Sequence, residues 1–241
     1  MVVKSQIKLI KSLLQKKYRS QHSLFVVEGV KTVKELLESD IINFQIYTTD
    51  LSLFDTDQSL VQQITEKELK QISNLKTPNK VLGVFQIPKT KIIDFSNWVV
   101  ALDGVSDPGN LGTIIRLCDW FGIPNLLCST NTVDCYNPKV LQATMGSIAR
   151  VNVVYDDLSE VLRSVEKPIY GTFMDGKNSY KQEFLNSGIL VMGNEANGIS
   201  KKIESLCNHR ISIPHFGYAT TESLNVATAT AIFLSEIRRG R

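Results

Sequence analysis

Four cysteines and three histidines are all that this 241-residue chain offers a metal or a disulfide. Cys118, Cys128, Cys135 and Cys207 contain no C-x-x-C pair, and His22, His209 and His215 supply no zinc spacing. Reduced thiols and no metal are expected. Long apolar runs are also missing, since none approaches the roughly 18 residues that span a bilayer, so no membrane partner is expected. The opening residues lack the basic-then-apolar layout of a secretory signal, which points to a cytoplasmic protein. Nucleotide signatures are absent too. The glycines at 104, 109 and 112 do not form G-x-G-x-x-G, and no lysine follows them as G-x-x-x-x-G-K-[ST] requires. Dinucleotide redox chemistry and NTP hydrolysis therefore lose support. With no G-x-S-x-G elbow and no histidine placed to partner a serine or cysteine, so does nucleophilic hydrolysis.

What is present is ordinary for a globular chain: 43% hydrophobic and 21% charged residues. Charge is unevenly spread. Residues 1–34 carry eight Lys and Arg against one acid, Glu28, whereas residues 96–241 carry 13 basic and 14 acidic side chains. Lys4, Lys8, Lys11, Lys16, Lys17 and Arg19 are thus candidates to meet a polyanion. A solvated helix face is the competing reading.

Apolar periodicity divides the chain in two. Ile7, Ile10, Leu13 and Leu14 form one helical stripe over residues 4–17. A buried strand at 24–27, a helix at 30–38, an alternating strand at 41–48, a capped helix from Glu66 and a strand at 81–85 complete a small α/β unit, residues 1–88. Residues 89–96 read as a linker, with Ile92, Ile93 and Phe95 resting on a neighbour. From 97 to 241 strands alternate with helices, as in a parallel sheet with crossover helices. Strands are expected at 98–102, 125–128, 151–154, 168–173, 189–192 and 210–213, with helices at 111–121, 138–147, 158–165 and 199–207 and a long one opening at Ser223-Leu-Asn-Val226.

Three loops follow strand ends, where open α/β sheets bind ligands. They are Asp107-Pro-Gly-Asn-Leu-Gly-Thr-Ile-Ile-Arg116, Met192-Gly-Asn-Glu-Ala-Asn-Gly-Ile-Ser200, and the polar stretch from Ile213 to Asn225. Taken singly, each is consistent with an ordinary turn or cap; Asn110 falls at or near a helix N-cap.

Together and in this order, N-L-G-T-I-I-R (110–116), V-M-G-N-E-A-N-G-I-S (191–200) and I-S-I-P…E-S-L-N-V-A-T-A (211–229) resemble the three motifs of the SpoU (TrmH-type) RNA ribose 2′-O-methyltransferases, of the SPOUT class. The segment F-V-V-E-G-V-K-T-V-K-E-L-L (25–37) is similar to the L30e-like substrate-binding domain that often precedes them. The resemblance implies an α/β parallel-sheet domain with a C-terminal trefoil knot, a homodimer joined through the last helix, and S-adenosylmethionine as methyl donor. Backbone groups at Gly193, Ile213 and Leu224 would hold that cofactor, beside Met192, Asn194, Ser223 and Asn225. Arg116 would be the central catalytic residue, gripping phosphate, with Asn110, Glu195, Ser223 and Asn225 around it and a phosphate oxygen or Glu195 accepting the proton. Ribosomal RNA of the 23S type is favoured over tRNA on the accessory domain and the basic segment 1–34; some tRNA-acting members also carry a histidine where this chain has Gly109, which weakens a tRNA-specific carry-over. A tRNA enzyme and a non-catalytic RNA-binding protein are the alternatives. Arg238, Arg239 and Arg241 either bind phosphate or balance a helix end.

Overall fold

The computed structural model describes residues 1–55, 57–217 and 223–239. Elements follow in chain order: α1 (Lys4–Ser12), α2 (Lys16–His22), β1 (Leu24–Glu28), α3 (Val30–Leu37), β2 (Asn43–Thr48), β3 (Val61–Gln63), α4 (Glu66–Ile72) and β4 (Val81–Gln86). Then come β5 (Trp98–Asp103), α5 (Pro108–Trp120), β6 (Asn125–Ser129), α6 (Pro138–Thr144), β7 (Asn152–Asp156), α7 (Leu158–Ser164) and β8 (Ile169–Asn178). The chain closes with β9 (Gly188–Gly193), α8 (Lys201–Glu204), β10 (His209–Ser212) and α9 (Val226–Arg238).

Two compact units result. The first is Met1–Lys89 together with Asp134–Ala149. Its sheet has the order β1-β4-β2-β3, and its core joins Ile10 and Leu13 to Leu24, Val26, Leu69, Ile72 and Leu82. The single N-terminal helix expected over 4–17 is instead two, and Leu14 is exposed rather than inward. Thr65 caps α4 as its spacing with Glu68 foretold: the Thr65 hydroxyl accepts from the Glu68 N–H, and Glu68 accepts from the Thr65 N–H at 2.9 Å.

Segment 134–149 is an integral part of this unit. Phe25, fully buried, packs on Tyr136 with ring centroids 4.7 Å apart. Arg19 corrects an expectation. It is 3% exposed, its guanidinium is ion-paired with Asp134 (Nε to Oδ2 3.2 Å), and it donates to the Leu13 carbonyl at 2.8 Å. Each of its three nitrogens donates inside the unit, so the side chain is turned into the core rather than presented at the surface. Lys4, Lys8, Lys11, Lys16 and Lys17 remain exposed.

The second unit is Thr90–Val133 with Arg150–Arg241. Among its described residues six strands form one all-parallel sheet, in the order β10-β8-β9-β5-β6-β7. The expected α/β parallel sheet is borne out. β5 is buried on both faces from Trp98 to Leu102, which is why it reads as a continuous apolar run. Ile93 and Phe95 pack on this core as expected, whereas Ile92 is 97% exposed. Strand order reverses about β5: the chain builds outward through β6 and β7, then returns to place β9 on its other side. Open α/β sheets bind ligands at such a switch point, and two of the three motif loops leave the carboxyl ends of β5 and β9 there. No described helix is long and apolar enough to cross a membrane.

Candidate functional site

The first loop leaves β5 at Asp103 and enters α5. Asp107 is the N-cap, accepting from the Asn110 N–H at 2.8 Å, and Pro108 occupies the first turn. Asn110 therefore sits three residues inside the helix rather than at its cap. That position frees its side-chain amide to reach out of the turn.

The second loop leaves β9 at Gly193. Asn194 and Gly198 exchange two backbone hydrogen bonds of 2.9 Å, and the Asn194 Oδ1 accepts from the N–H groups of Ala196 and Asn197. Its amide nitrogen donates to the Gly104 carbonyl at 2.7 Å, tying this loop to the first. The Asp103 carboxylate accepts from the Ser200 N–H at 2.7 Å and pins the loop's far end. A Cβ on Gly193 would stand 2.2 Å from the Gly198 carbonyl carbon, so glycine is demanded there by the loop's own backbone. Met192 is 2% exposed and belongs to the core.

Glu195 joins the two loops. Its carboxylate accepts from the Ser106 N–H (3.1 Å) and hydroxyl (3.2 Å), the Asp107 N–H (3.1 Å) and the Asn110 amide (3.0 Å). Partial burial pushes its pKa up, but the hydrogen bonds from Asn110, Ser106 and Asp107 outweigh that and hold it down at about 2. The Asp107 cap and the Ser106 contact were not among the residues singled out from sequence. The Asp-Pro pair at a helix start was the available signal for the first.

The third loop brings Asn225. It is the N-cap of α9, its Oδ1 accepting from the N–H groups of Ala227 (2.9 Å) and Thr228 (3.2 Å), and α9 packs against α5. The Asn225 amide nitrogen donates to the Asn110 Oδ1 at 2.8 Å. Asn225, Asn110 and Glu195 thus form one hydrogen-bonded chain across the three motifs. Ser223 and Leu224 are exposed beside it, Leu224 by 49%, and Ile213 is half-buried after β10. The middle of this loop, 218–222, and Arg241 lie outside the described residues.

Arg116 lies on α5, on a solvent-facing row with Gly109, Thr113 and Trp120. Among the described residues it has no ion pair or hydrogen bond. Arg238 donates to the carbonyls of Phe121 and Gly122 at 2.8 Å, closing the end of α5. Arg239 donates to the Tyr180 carbonyl at 3.1 Å. Of the two readings offered for these arginines, balancing a helix end describes Arg238.

Similarity to known proteins agrees with this geometry. Residues 97–235 match the SpoU rRNA methylase family, and residues 4–83 match an MRM3-like substrate-binding domain. The chain is 30% identical over 97% of its length, and 96% of the relative's, to the 23S rRNA (guanosine(2553)-2′-O)-methyltransferase RlmP of Bacillus subtilis. A TrmH-family structure from Porphyromonas gingivalis superposes with a TM-score of 0.90 at 37% identity, covering 99% of both chains. An AdoMet-bound rRNA methyltransferase from Sinorhizobium meliloti superposes at 0.87 with 28% identity, over 99% of this chain and 97% of that one. With the matched catalytic model spanning more than half of its residues, the chain belongs to the SpoU rRNA methylase family.

Proposed function

We propose that this protein transfers a methyl group from S-adenosylmethionine to a ribose 2′-hydroxyl of 23S-type ribosomal RNA. The observation that carries the reading is the Asn225–Asn110–Glu195 chain, which closes three loops at the sheet's switch point into one polar site. S-adenosylmethionine supplies an activated methyl carbon suited to in-line displacement, so the protein's task is mainly positioning. The residues fit that group. Leu224 offers a half-exposed apolar face for a purine, and the hydroxyl of Ser223 and the backbone of the second and third loops supply polar partners around it.

Arg116 presents a planar guanidinium with five N–H donors and no acceptor. Its planar fork grips the phosphate beside the target ribose and stabilises negative charge developing on the 2′-oxygen. When the ribose oxygen takes the methyl group, the carbon–sulfur bond of the donor would break to release S-adenosylhomocysteine, and the hydroxyl proton would leave to a phosphate oxygen and on to water. Glu195 is a positioning residue in this scheme: its carboxylate is already engaged by the Ser106 N–H and hydroxyl, the Asp107 N–H and the Asn110 amide. Asn110 and Asn225 fix the walls on either side. Lys4, Lys8, Lys11, Lys16 and Lys17 on the substrate-binding unit meet RNA phosphates.

The working form in this reading is a cytoplasmic homodimer joined through α9 and the exposed Trp120 of α5, 82% accessible, with a C-terminal trefoil knot in the catalytic unit and an L30e-like unit preceding it in sequence. Calorimetry with S-adenosylmethionine, followed by mapping of ribose methylation on 23S RNA with and without the gene, tests the proposal. Absence of cofactor binding, or an unchanged methylation map, would overturn it.

A further inference from the structure

A turn at the end of β6 lies beside the first motif loop and has no part in the scheme above. Ser129 to Thr132 is a four-residue turn closed by the Thr132 N–H on the Ser129 carbonyl at 3.0 Å. Two of its three hydroxyls, those of Ser129 and Thr132, face inward. The Ser129 Oγ accepts from the Gly104 N–H at 2.8 Å and meets the Thr132 Oγ1 at 2.9 Å, while Thr132 also donates to the Leu102 carbonyl at 3.3 Å. One residue on, the Val133 N–H donates to the Val105 carbonyl at 3.0 Å. Ser129 and Thr132 are 7% and 3% exposed. The turn is thereby bolted to the β5–α5 loop.

Between these two buried anchors stands Asn131, exposed, its side-chain amide without a hydrogen-bond partner among the described residues. It leans across Gly104: a Cβ there would lie 3.0 Å from the Asn131 amide nitrogen, and Gly104 has φ +76°. The Gly104 carbonyl is the one that receives Asn194 from the second loop. Ser106, which donates to Glu195, is two residues further on.

We propose that Asn131 is a specificity-determining contact to RNA, hydrogen-bonding the base edge of a nucleotide at or next to the methylated ribose. An amide has no role in proton transfer, but it places a donor and an acceptor on one plane, matching the edge of an unstacked base. Holding it on a turn that is already anchored spares the backbone entropy that ordering a loose loop would cost on binding. The inference rests on the methyltransferase reading.

The test uses the full chain with S-adenosylmethionine and 23S ribosomal RNA from a strain lacking the gene. Asn131→Ala should raise KM for RNA by about tenfold, one polar contact's worth, with kcat, cofactor Kd and Tm close to wild type. Asn131→Asp keeps the size but loses the donor and should move KM the same way. An unchanged KM overturns the inference. Cofactor Kd or Tm shifting as far as KM also overturns it, because the residue would then be holding the loop. If the wild type neither binds the cofactor nor methylates RNA, the methyltransferase reading itself has failed and this inference goes with it. An active wild type with silent variants removes this inference alone.

Discussion

The amide nitrogen of Asn225 donates to the amide oxygen of Asn110 across 2.8 Å, linking two residues 115 positions apart in the chain. Chemistry fixes the direction of that bond. Asn225 must turn its oxygen to the N–H groups that open α9. Its nitrogen then faces Asn110, whose own nitrogen must face the Glu195 carboxylate. The polarity of the chain is set at both ends by groups that act only as donors or only as acceptors.

Asn225→Asp separates the two roles of this residue. A carboxylate still caps α9, and with favourable charge at a helix N-terminus, but it has no proton to give Asn110. The variant should keep a wild-type Tm while methyl transfer falls by at least about tenfold, a lost hydrogen bond's worth in the transition state. Asn225→Ala should also lose about 1 kcal/mol of stability with the cap. Thermal denaturation alongside single-turnover kinetics checks both. Equal activity for Asn225→Asp and wild type would break the assignment.

Arg116 lies on an exposed helix row and has no ion pair or hydrogen bond among the described residues, so its removal strands no described buried partner. Arg116→Ala should fold normally, bind S-adenosylmethionine with near-native Kd in calorimetry, and lose methyl transfer by roughly 10²-fold or more, as losing one charge-stabilising donor does. Arg116→Lys should restore little, because an ammonium cannot reproduce the planar two-point grip. Near-normal turnover in Arg116→Ala would refute the role.

Glu195 carries a sign that can be checked against pH. Its folded pKa is depressed from 4.5 to about 2, so its stabilising contribution is present above about pH 4.5 and is lost as pH falls toward 2. Glu68 and Asp157 are lowered to about 2 as well, so the bare wild-type curve mixes several groups. The Tm difference between wild type and Glu195→Gln isolates one: flat from pH 7 to 5, then shrinking below 4.5. The same depression predicts that the Gln variant keeps the shape of the wild-type pH–rate profile near neutrality. A lost ionisation between pH 5 and 8 would make Glu195 a proton acceptor after all.

Of the catalytic sheet, β5, β6 and β9 were legible because they are short runs of buried apolar residues between turn formers. β8 was read short. It runs on to Asn178 through Asp175 and Lys177 because its second half pairs with β10 after a register shift, and pairing partners leave no local trace. β3, with two glutamines in three residues, has no apolar pattern to detect. The assignment of 134–149 to the first unit was invisible for a related reason: a crossover helix looks the same in sequence whichever core it serves. At the site, residue types and loop positions could be read from the motifs. The bonds joining those loops span 85 to 115 residues, and only the fold brings such groups together.

Arg19 and Asp134 make the membership of that segment testable. Their side chains are 4% and 17% exposed. Removing the acid leaves a guanidinium buried with no counter-charge, so Asp134→Ala should destabilise the first unit by about 3–5 kcal/mol. Replacing both partners by apolar groups, Arg19→Met with Asp134→Leu, should recover most of the loss. Urea denaturation followed by amide exchange in residues 1–89 reads the effect. If Asp134→Ala leaves those amides as protected as before, the segment is not part of that core.

Two glycines of the second motif loop differ in what they exclude. At Gly193 an added Cβ would meet backbone, 2.2 Å from the Gly198 carbon and 2.3 Å from the Ile199 nitrogen. Neither can step aside without opening the loop. Gly198 has φ +66° but nothing within 4 Å of where its Cβ would stand, so alanine there costs only backbone strain, about 1–2 kcal/mol. Gly193→Ala should therefore raise the Kd for S-adenosylmethionine by more than about tenfold, since the wall that carries Glu195 is displaced along with its hydrogen bonds. Gly198→Ala should lower Tm slightly and leave Kd within about threefold. Calorimetry on the pair decides the matter. Comparable Kd values for the two variants would mean that the loop's closed form is not what the cofactor requires.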